Sequence, residues 1–172
     1  ATASIASGPC SYINVFDQSC STVESAGSRR GAQMGVLRID HPDVLEFVTA
    51  KRTPGRWNNF NVSVAVTSSF MQALLADEDC DLVHHAKPGK QFIADGAHVR
   101  EDGMWVYKTL PAQELWDTIM QSAYDFAEPG ILFLDNINQD NNLSYCESIA
   151  ATNPCGEQPL PSYGCCDLGP II

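Results

Sequence analysis

The sequence predicts an α/β fold with a largely parallel sheet. Segments with the apolar periodicity of helices alternate with short apolar runs that have the length of strands. One of these runs, ILFLD at 131–135, is continuously apolar, which is typical of a strand buried in a parallel sheet. Hydrophobic residues make up 44% and charged residues 18% of the 172 positions, a composition and length that suit one globular domain.

The first half of the chain predicts three helices and two strands. Residues 10–25 predict a helix whose apolar stripe is formed by Tyr12, Val15, Phe16 and Cys20. Four elements follow: a strand at 34–39, a helix at 42–50 with Asp40 as N-cap and Pro42 in its first turn, a strand at 60–66, and a helix at 70–78 capped by Ser68 or Ser69.

The second half predicts an insertion, one long helix and one strand. Residues 81–108 predict an extended or hairpin insertion, because a glycine-marked turn separates two apolar runs. Pro111 begins the most periodic helix, and Pro129 and Gly130 end it before the strand at 131–135. Beyond Asp135 we expect at most one helical turn. So long an irregular run is unusual in a compact domain, so we expect residues 1–172 to be a single, incomplete segment of one.

Charge and composition exclude several classes of function. The formal net charge of −11 argues against non-specific binding to nucleic acid or anionic membranes. The sequence contains neither an apolar run of about 20 residues nor the pattern of a signal peptide. We therefore expect a cytoplasmic protein whose seven cysteines are reduced thiols.

Six of the ten Lys and Arg residues lie between positions 29 and 56. They are Arg29, Arg30, Arg38, Lys51, Arg52 and Arg56. Two interpretations are open. The cations form a solvated basic face, as charge runs usually do, or they bind a small polyanion such as a nucleotide phosphate.

The segment NPCGEQPLPSYGCCDLG at 153–169 holds three cysteines among polar partners. Asn153, Cys155 and Glu157 have the spacing i, i+2, i+4, which on an extended segment places an amide, a sulfur and a potential base on one face. Two thiols a short loop away, Cys165 and Cys166, could supply reducing equivalents. This pattern indicates redox or radical chemistry.

The cysteines allow two other interpretations. The spacing of Cys155, Cys165 and Cys166 lacks the pairs of a zinc site, so we predict no metal site. A free cysteine is commonly a small core residue, which is the interpretation for the remaining four. These are Cys10, Cys20, Cys80 and Cys146.

NPCGE followed by YGCCDLG closely resembles the active-site finger loop of the large, catalytic subunit of ribonucleotide reductases. Three further segments resemble the same family in the right order: RRGAQMGVLRIDHPDVLEFVTAKR, NNFNVSV and EPGILFLDNIN. The resemblance implies part of a ten-stranded α/β barrel, with the finger loop near the C-terminus of this chain and other barrel elements upstream and downstream. It also implies reduction of ribonucleotides to 2′-deoxyribonucleotides by thiyl-radical chemistry, for DNA synthesis.

The resemblance implies a role for each residue of the cluster. Cys155 would hold the thiyl radical that removes the 3′ hydrogen, and Glu157 would be the general base on the 3′ hydroxyl. Asn153 would hydrogen-bond the ribose hydroxyls. Cys166, which directly precedes Asp-Leu-Gly, would be one half of the reducing pair, and Cys165 a bystander.

The loop sequence, with eleven residues from Cys155 to Cys166, looks like that of class II enzymes, which depend on adenosylcobalamin. The alternatives are a class I, metal-radical large subunit, and a non-catalytic nucleotide-binding or assembly piece of a split reductase. Implied partners are a ribonucleotide di- or triphosphate substrate, a deoxynucleotide effector, a thioredoxin- or glutaredoxin-type reductant and the remaining reductase segments. A homodimer through the stripe of helix 10–25 is also expected.

AKRTPGRWNNF at 50–60 lies where the resemblance would place a loop that relays effector identity to the substrate site. Its candidate residues are Lys51, Arg52, Arg56, Asn58 and Asn59. Pro54 and Gly55 predict a mobile turn. We expect that no other contacts fix this loop.

Overall fold

The computed structural model describes residues 7–23, 31–167 and 169. The helices are α1 (Gly8–Thr22), α2 (Val44–Thr49), α3 (Ser68–Leu75), α4 (Lys90–Ala94), α5 (Ala112–Phe126) and α6 (Leu134–Gln139). The strands are β1 (Gln33–Arg38), β2 (Phe60–Val66), β3 (Asp79–His84), β4 (His98–Val99), β5 (Trp105–Pro111), β6 (Gly130–Phe133), β7 (Ile149–Thr152) and β8 (Pro159–Pro161). No described helix is both long and apolar enough to cross a membrane.

The central sheet has the order β1-β2-β6, and both pairings are parallel. Gln33 pairs with Phe60, and Ser63 pairs with Gly130. The predicted α/β class and parallel sheet are confirmed, and the first two strands lie within one residue of their predicted bounds. The third is shorter than predicted, because α6 begins at Leu134. Phe133 is 46% exposed, so β6 is not buried on both faces within the described chain.

The hydrophobic core lies between one face of β2 and the helices that follow the strands. Alternate β2 residues Val62, Val64 and Val66 face this core, because side chains alternate across a strand. From α5, Leu115 and Ile119 are fully buried against them. The periodic helix predicted from Pro111 is therefore confirmed. The core also includes residues from α2 and α3.

A second, antiparallel sheet has the order β3-β5-β4 and accounts for the predicted insertion at 81–108. Asp79 at the start of β3 pairs with Pro111 at the end of β5. The short helix α4 between β3 and β4 was not predicted. Its five residues are too few for a clear helical period.

The chain after Asp135 is more ordered than predicted. It contains α6 and an antiparallel hairpin in which β7 pairs with β8. The hairpin is short, and prolines occupy both ends of β8, so neither strand has a recognisable strand pattern. The prediction of at most one helical turn is wrong.

The predicted helix caps are also wrong. Asp43 precedes α2, whereas the Asp40 carboxylate accepts hydrogen bonds from Arg38 Nε at 2.9 Å and Nη2 at 2.6 Å. Thr67 caps α3, because its Oγ1 accepts a hydrogen bond from the amide of Phe70 at 3.2 Å. In both cases another polar residue, close to the predicted one, directly precedes the helix.

The four cysteines predicted as core residues differ in burial. Cys10 is fully buried, whereas Cys20 and Cys80 are half-buried and Cys146 is exposed. Burial raises the pKa of Cys10 to about 12 and that of Cys80 to about 11. Neither thiol is therefore suited to thiolate chemistry near neutral pH. The core prediction holds for Cys10 and is wrong for Cys146.

Candidate active site

The loop from Asn153 to Gln158 joins β7 to β8 as a tight turn. The amide of Gly156 donates to the Asn153 carbonyl at 3.0 Å, and the amide of Asn153 donates to the Gln158 carbonyl at 3.2 Å. The Asn153 side chain closes the loop from within, since its Oδ1 accepts the amide of Gln158 at 2.9 Å. Gly156 has a φ of +82°, a conformation that glycine adopts without strain.

This turn corrects the predicted extended geometry. Asn153, Cys155 and Glu157 do not share one face of a strand, because the chain reverses between them. They are nevertheless brought together on one six-residue loop, with Cys155 and Glu157 both exposed. The side-chain oxygen of Asn153 accepts the hydrogen bond that closes the loop, and the side-chain NH₂ group takes no part in that bond. The loop therefore presents a thiol, a carboxylate and an amide donor.

The tip of the hairpin is attached to the central sheet. Asn61 Nδ2 in β2 donates to the carbonyl of Pro154 at 2.5 Å. Because Val62 faces the helical core, Asn61 points to the opposite face of the sheet. The hairpin thus lies on the face of β2 opposite the helical core, and β7 runs near β1. Sequence reasoning missed Asn61, although an asparagine inside a strand is an unusual choice.

The base of the hairpin is attached through α6. Asn138 Oδ1 accepts the amide of Ile149 at 2.7 Å, and Asn138 Nδ2 donates to the carbonyl of Ile149 at 3.0 Å. The side-chain amide therefore pairs with β7 as a neighbouring strand would. Asn61 and Asn138 together hold the hairpin at its tip and its base.

Cys165 and Cys166 follow β8. Cys165 is exposed and Cys166 is half-buried. The chain turns before them, where the amide of Gly164 donates to the carbonyl of Pro161 at 3.0 Å. Neither cysteine belongs to the Asn153–Gln158 loop itself, so the structure gathers three of the four predicted catalytic residues on that loop.

Two cations of the predicted relay segment bind inside the chain. Lys51 forms an ion pair with Glu128, and its Nζ donates to the carbonyl of Phe60 at 2.6 Å. Arg52 donates twice to Ser122 Oγ in α5, at 2.8 Å and 3.1 Å. These contacts tie the segment to the start of β2 and to α5.

The other relay residues differ in their contacts. Arg56 donates to Glu46 Oε1 at 3.1 Å and lies 4.8 Å from the centre of the Trp57 ring. The amide of Asn59 donates to Asp17 Oδ1 at 2.8 Å, which joins the segment to α1, while Asn58 is exposed. The expectation that no contacts fix this segment is wrong.

Four of the six cations of the basic cluster lie within the described residues. Arg29 and Arg30 lie outside the described residues. The other four cations each have a partner inside the chain: Arg38 pairs with Asp40, and Lys51, Arg52 and Arg56 make the contacts given above. These pairings favour structural roles for the four.

Metal-ligating side chains are not clustered in the part of the chain that the structure describes. Within residues 7–23, 31–167 and 169, no three His, Cys, Asp or Glu side chains are grouped so that they could hold a metal ion.

Comparison with known proteins gives one family and several relatives. Residues 1–172 match the sequence profile of the family described as "Ribonucleotide reductase, barrel domain". The chain is 39% identical over 171 residues to a protein of Thermoplasma acidophilum and 39% identical over 171 residues to one of Mycobacterium tuberculosis. Both are named vitamin B12-dependent ribonucleoside-diphosphate reductase.

A third relative, from Streptomyces clavuligerus, is named vitamin B12-dependent ribonucleotide reductase and is 28% identical over 190 residues. The three alignments cover 99%, 99% and 96% of this chain. They cover 20%, 22% and 18% of the relatives, so the chain spans about a fifth of their length.

Proposed function

The chain belongs to the ribonucleotide reductase family, and we propose that in its full-length protein it supplies the radical cysteine for reducing ribonucleotides to 2′-deoxyribonucleotides. The observation that carries this proposal is the turn at 153–158, which presents the exposed Cys155 beside an amide and a carboxylate. Two relatives are named diphosphate reductases, which supports a ribonucleoside diphosphate as substrate.

The proposed roles follow the chemistry of each side chain. Cys155, as a thiyl radical, takes the hydrogen atom from the 3′ carbon and becomes a thiol. After the sugar has been reduced, it returns that hydrogen to the 3′ carbon, which regenerates the thiyl radical. Glu157 accepts the proton of the 3′ hydroxyl as general base. Asn153 donates from its NH₂ group to a ribose hydroxyl, and the bond from Gln158 to its oxygen supports that orientation.

Cys166 is proposed as one half of the reducing pair. The 2′ hydroxyl leaves as water, and two thiols supply two electrons and two hydrogens while they form a disulfide. The partner of Cys166 would come from another part of the full-length protein, and a thioredoxin- or glutaredoxin-type reductant would restore the dithiol. Cys165 has no role in this scheme.

The proposed cofactor is adenosylcobalamin, because the relatives are named vitamin B12-dependent. When bound, it would supply the organic radical that starts the reaction. An exposed Cys155 at the tip of a turn fits a bulky ligand that must come close to the sulfur. Turnover that requires a metal-radical subunit instead would favour the class I alternative.

The assembly around this site is also a proposal. We expect the β7–β8 hairpin to be the finger loop of a ten-stranded barrel completed by the remaining segments of a cytoplasmic enzyme. The exposed face of α1 supports a homodimer, since Tyr12 is 65%, Val15 64% and Phe16 55% exposed. If the chain were only an assembly piece of a split reductase, residues of the hairpin loop would be dispensable for turnover.

Glu157→Gln should lower turnover by roughly 10²–10⁴-fold, the usual contribution of a general base. The amide keeps the shape of the side chain but cannot take the 3′ hydroxyl proton, so substrate binding should change little. The measurement is deoxynucleotide formation by the full-length enzyme with a ribonucleoside diphosphate, adenosylcobalamin and a dithiol. The exposed Glu101→Gln, in the insertion, is the matched control. An unchanged rate in Glu157→Gln would remove this residue from the mechanism.

The segment 51–59 is proposed to pass effector identity to the substrate site. It would do so as a packed connection, since most of its polar side chains form hydrogen bonds within the chain. Arg56→Ala should then weaken the dependence of substrate preference on the bound deoxynucleotide effector. The test compares preference with each effector before and after the change, with Arg100→Ala in the insertion as control. If Arg56→Ala leaves the pattern intact, Arg56 serves only to bind Glu46 and Trp57.

A further inference from the structure

The contact between Asn61 and Pro154 bears directly on the peptide that leads to Cys155. Asn61 Nδ2 donates to the Pro154 carbonyl, which belongs to the peptide unit joining Pro154 to Cys155. The bonds that close the turn involve Asn153, Gly156 and Gln158. Within the described residues, the bond from Asn61 is the one that ties the Pro154–Cys155 peptide to the sheet.

Asn61 is itself presented from a fixed stretch of β2. The carbonyl of Phe60, just before it, accepts a hydrogen bond from Lys51 Nζ at 2.6 Å. The amide of Val62, just after it, donates to Glu128 Oε1 at 3.0 Å. Both peptides beside Asn61 are therefore held by side chains, and these side chains form an ion pair with each other. The strand position that carries Asn61 is well defined.

We propose that Asn61 is a positioning residue, which fixes the height of Cys155 above the sheet by holding the Pro154 carbonyl. It acts through the loop and does not touch the ribose. The inference rests on the proposed function only for its catalytic consequence, since the hydrogen bond and its effect on the loop are independent of the reaction. A reacting sulfur must lie within a narrow range of its target atom, so a small displacement of the loop should be costly.

The test uses Asn61→Ala and Asn61→Asp in the full-length enzyme. The aspartate keeps the shape of asparagine but replaces the NH₂ donor with an oxygen that repels the Pro154 carbonyl. Asn142→Ala and Asn142→Asp are matched controls, because Asn142 is exposed in the segment between α6 and β7. Neither Asn61 change should impair folding, since the Asn61 side chain lies on an exposed position of β2.

Two measurements test the inference. Amide hydrogen exchange of Gly156 and Gln158 should quicken about fivefold in both Asn61 variants, the effect of losing one ordinary hydrogen bond. The kcat should fall roughly 10- to 100-fold with little change in KM, because substrate contacts remain but the sulfur is misplaced. The Asn142 variants should match the parent enzyme in both measurements.

Unchanged exchange in the Asn61 variants would overturn the inference, since the loop would then be fixed without this bond. A raised KM with unchanged kcat would also overturn it, because Asn61 would then bind substrate. Full turnover by Cys155→Ser contradicts the proposed function instead, and the exchange measurement still reports on the Asn61 contact. The two failures are therefore distinguishable.

Discussion

Cys155→Ser in the full-length enzyme should abolish deoxynucleotide formation. An O–H bond is stronger than an S–H bond, so a serine at the tip of the hairpin would not be converted to a radical able to take the 3′ hydrogen and be regenerated. An added barrier of about 4 kcal/mol alone lowers a rate about 1,000-fold. Cys155→Ala should be equally inactive, because alanine has no S–H group from which the radical could form.

The fold should tolerate both changes. Cys155 is exposed, and substitutions at exposed sites without special contacts usually alter the free energy of unfolding by no more than about 0.5 kcal/mol. Thermal unfolding followed by circular dichroism would check this, and Cys146→Ser, at another exposed cysteine, is the matched control for turnover. Substantial product formation by Cys155→Ser would disprove the assignment of the radical to this residue.

Cys166→Ser should separate hydrogen abstraction from reduction. The Cys155 sulfur would still remove the 3′ hydrogen, but a serine cannot form the disulfide that delivers two electrons to the sugar. We expect no deoxynucleotide, release of free base from damaged substrate, and loss of label from a 3′-deuterated nucleotide. Both base release and label loss can be measured by mass spectrometry of the reaction mixture.

The neighbouring thiol provides the control for this experiment. Cys165→Ser should remain within about twofold of the parent rate, because an exposed side chain outside the reducing pair has little to contribute. Loss of activity in Cys165→Ser with an active Cys166→Ser would show that the other member of the pair carries the chemistry.

The parallel sheet and the long helix could be predicted because their signals are local. β2 occupies the predicted residues 60–66, and α5 begins one residue after Pro111. A continuous run of apolar residues predicts a buried strand, and apolar residues spaced three and four apart predict a helix with one buried face, whatever elements pack against them. The predicted helix caps were wrong for a different reason. Several polar residues precede each helix, and only the path of the chain determines which of them becomes the N-cap.

The geometry of the loop that carries the candidate site could not be predicted from the sequence. The order Asn153, Cys155, Glu157 is the basis of the proposed chemistry, yet the turn depends on the Asn153 side chain and on a left-handed Gly156. The anchor from Asn61 joins residues 93 positions apart, and the bonds from Arg52 to Ser122 span 70. Contacts between residues so far apart in the chain produce no periodic pattern in a single sequence.

The two asparagines that hold the hairpin have a consequence for how the enzyme responds to acidity. A carboxamide neither gains nor loses a proton across the range in which proteins stay folded, unlike a histidine or carboxylate in the same place. The bonds from Asn61 to Pro154 and from Asn138 to Ile149 are thus insensitive to pH. The hairpin should keep its place from mildly acidic to mildly alkaline solution, and a pH profile of turnover should report the reacting groups instead of movement of the loop that carries them.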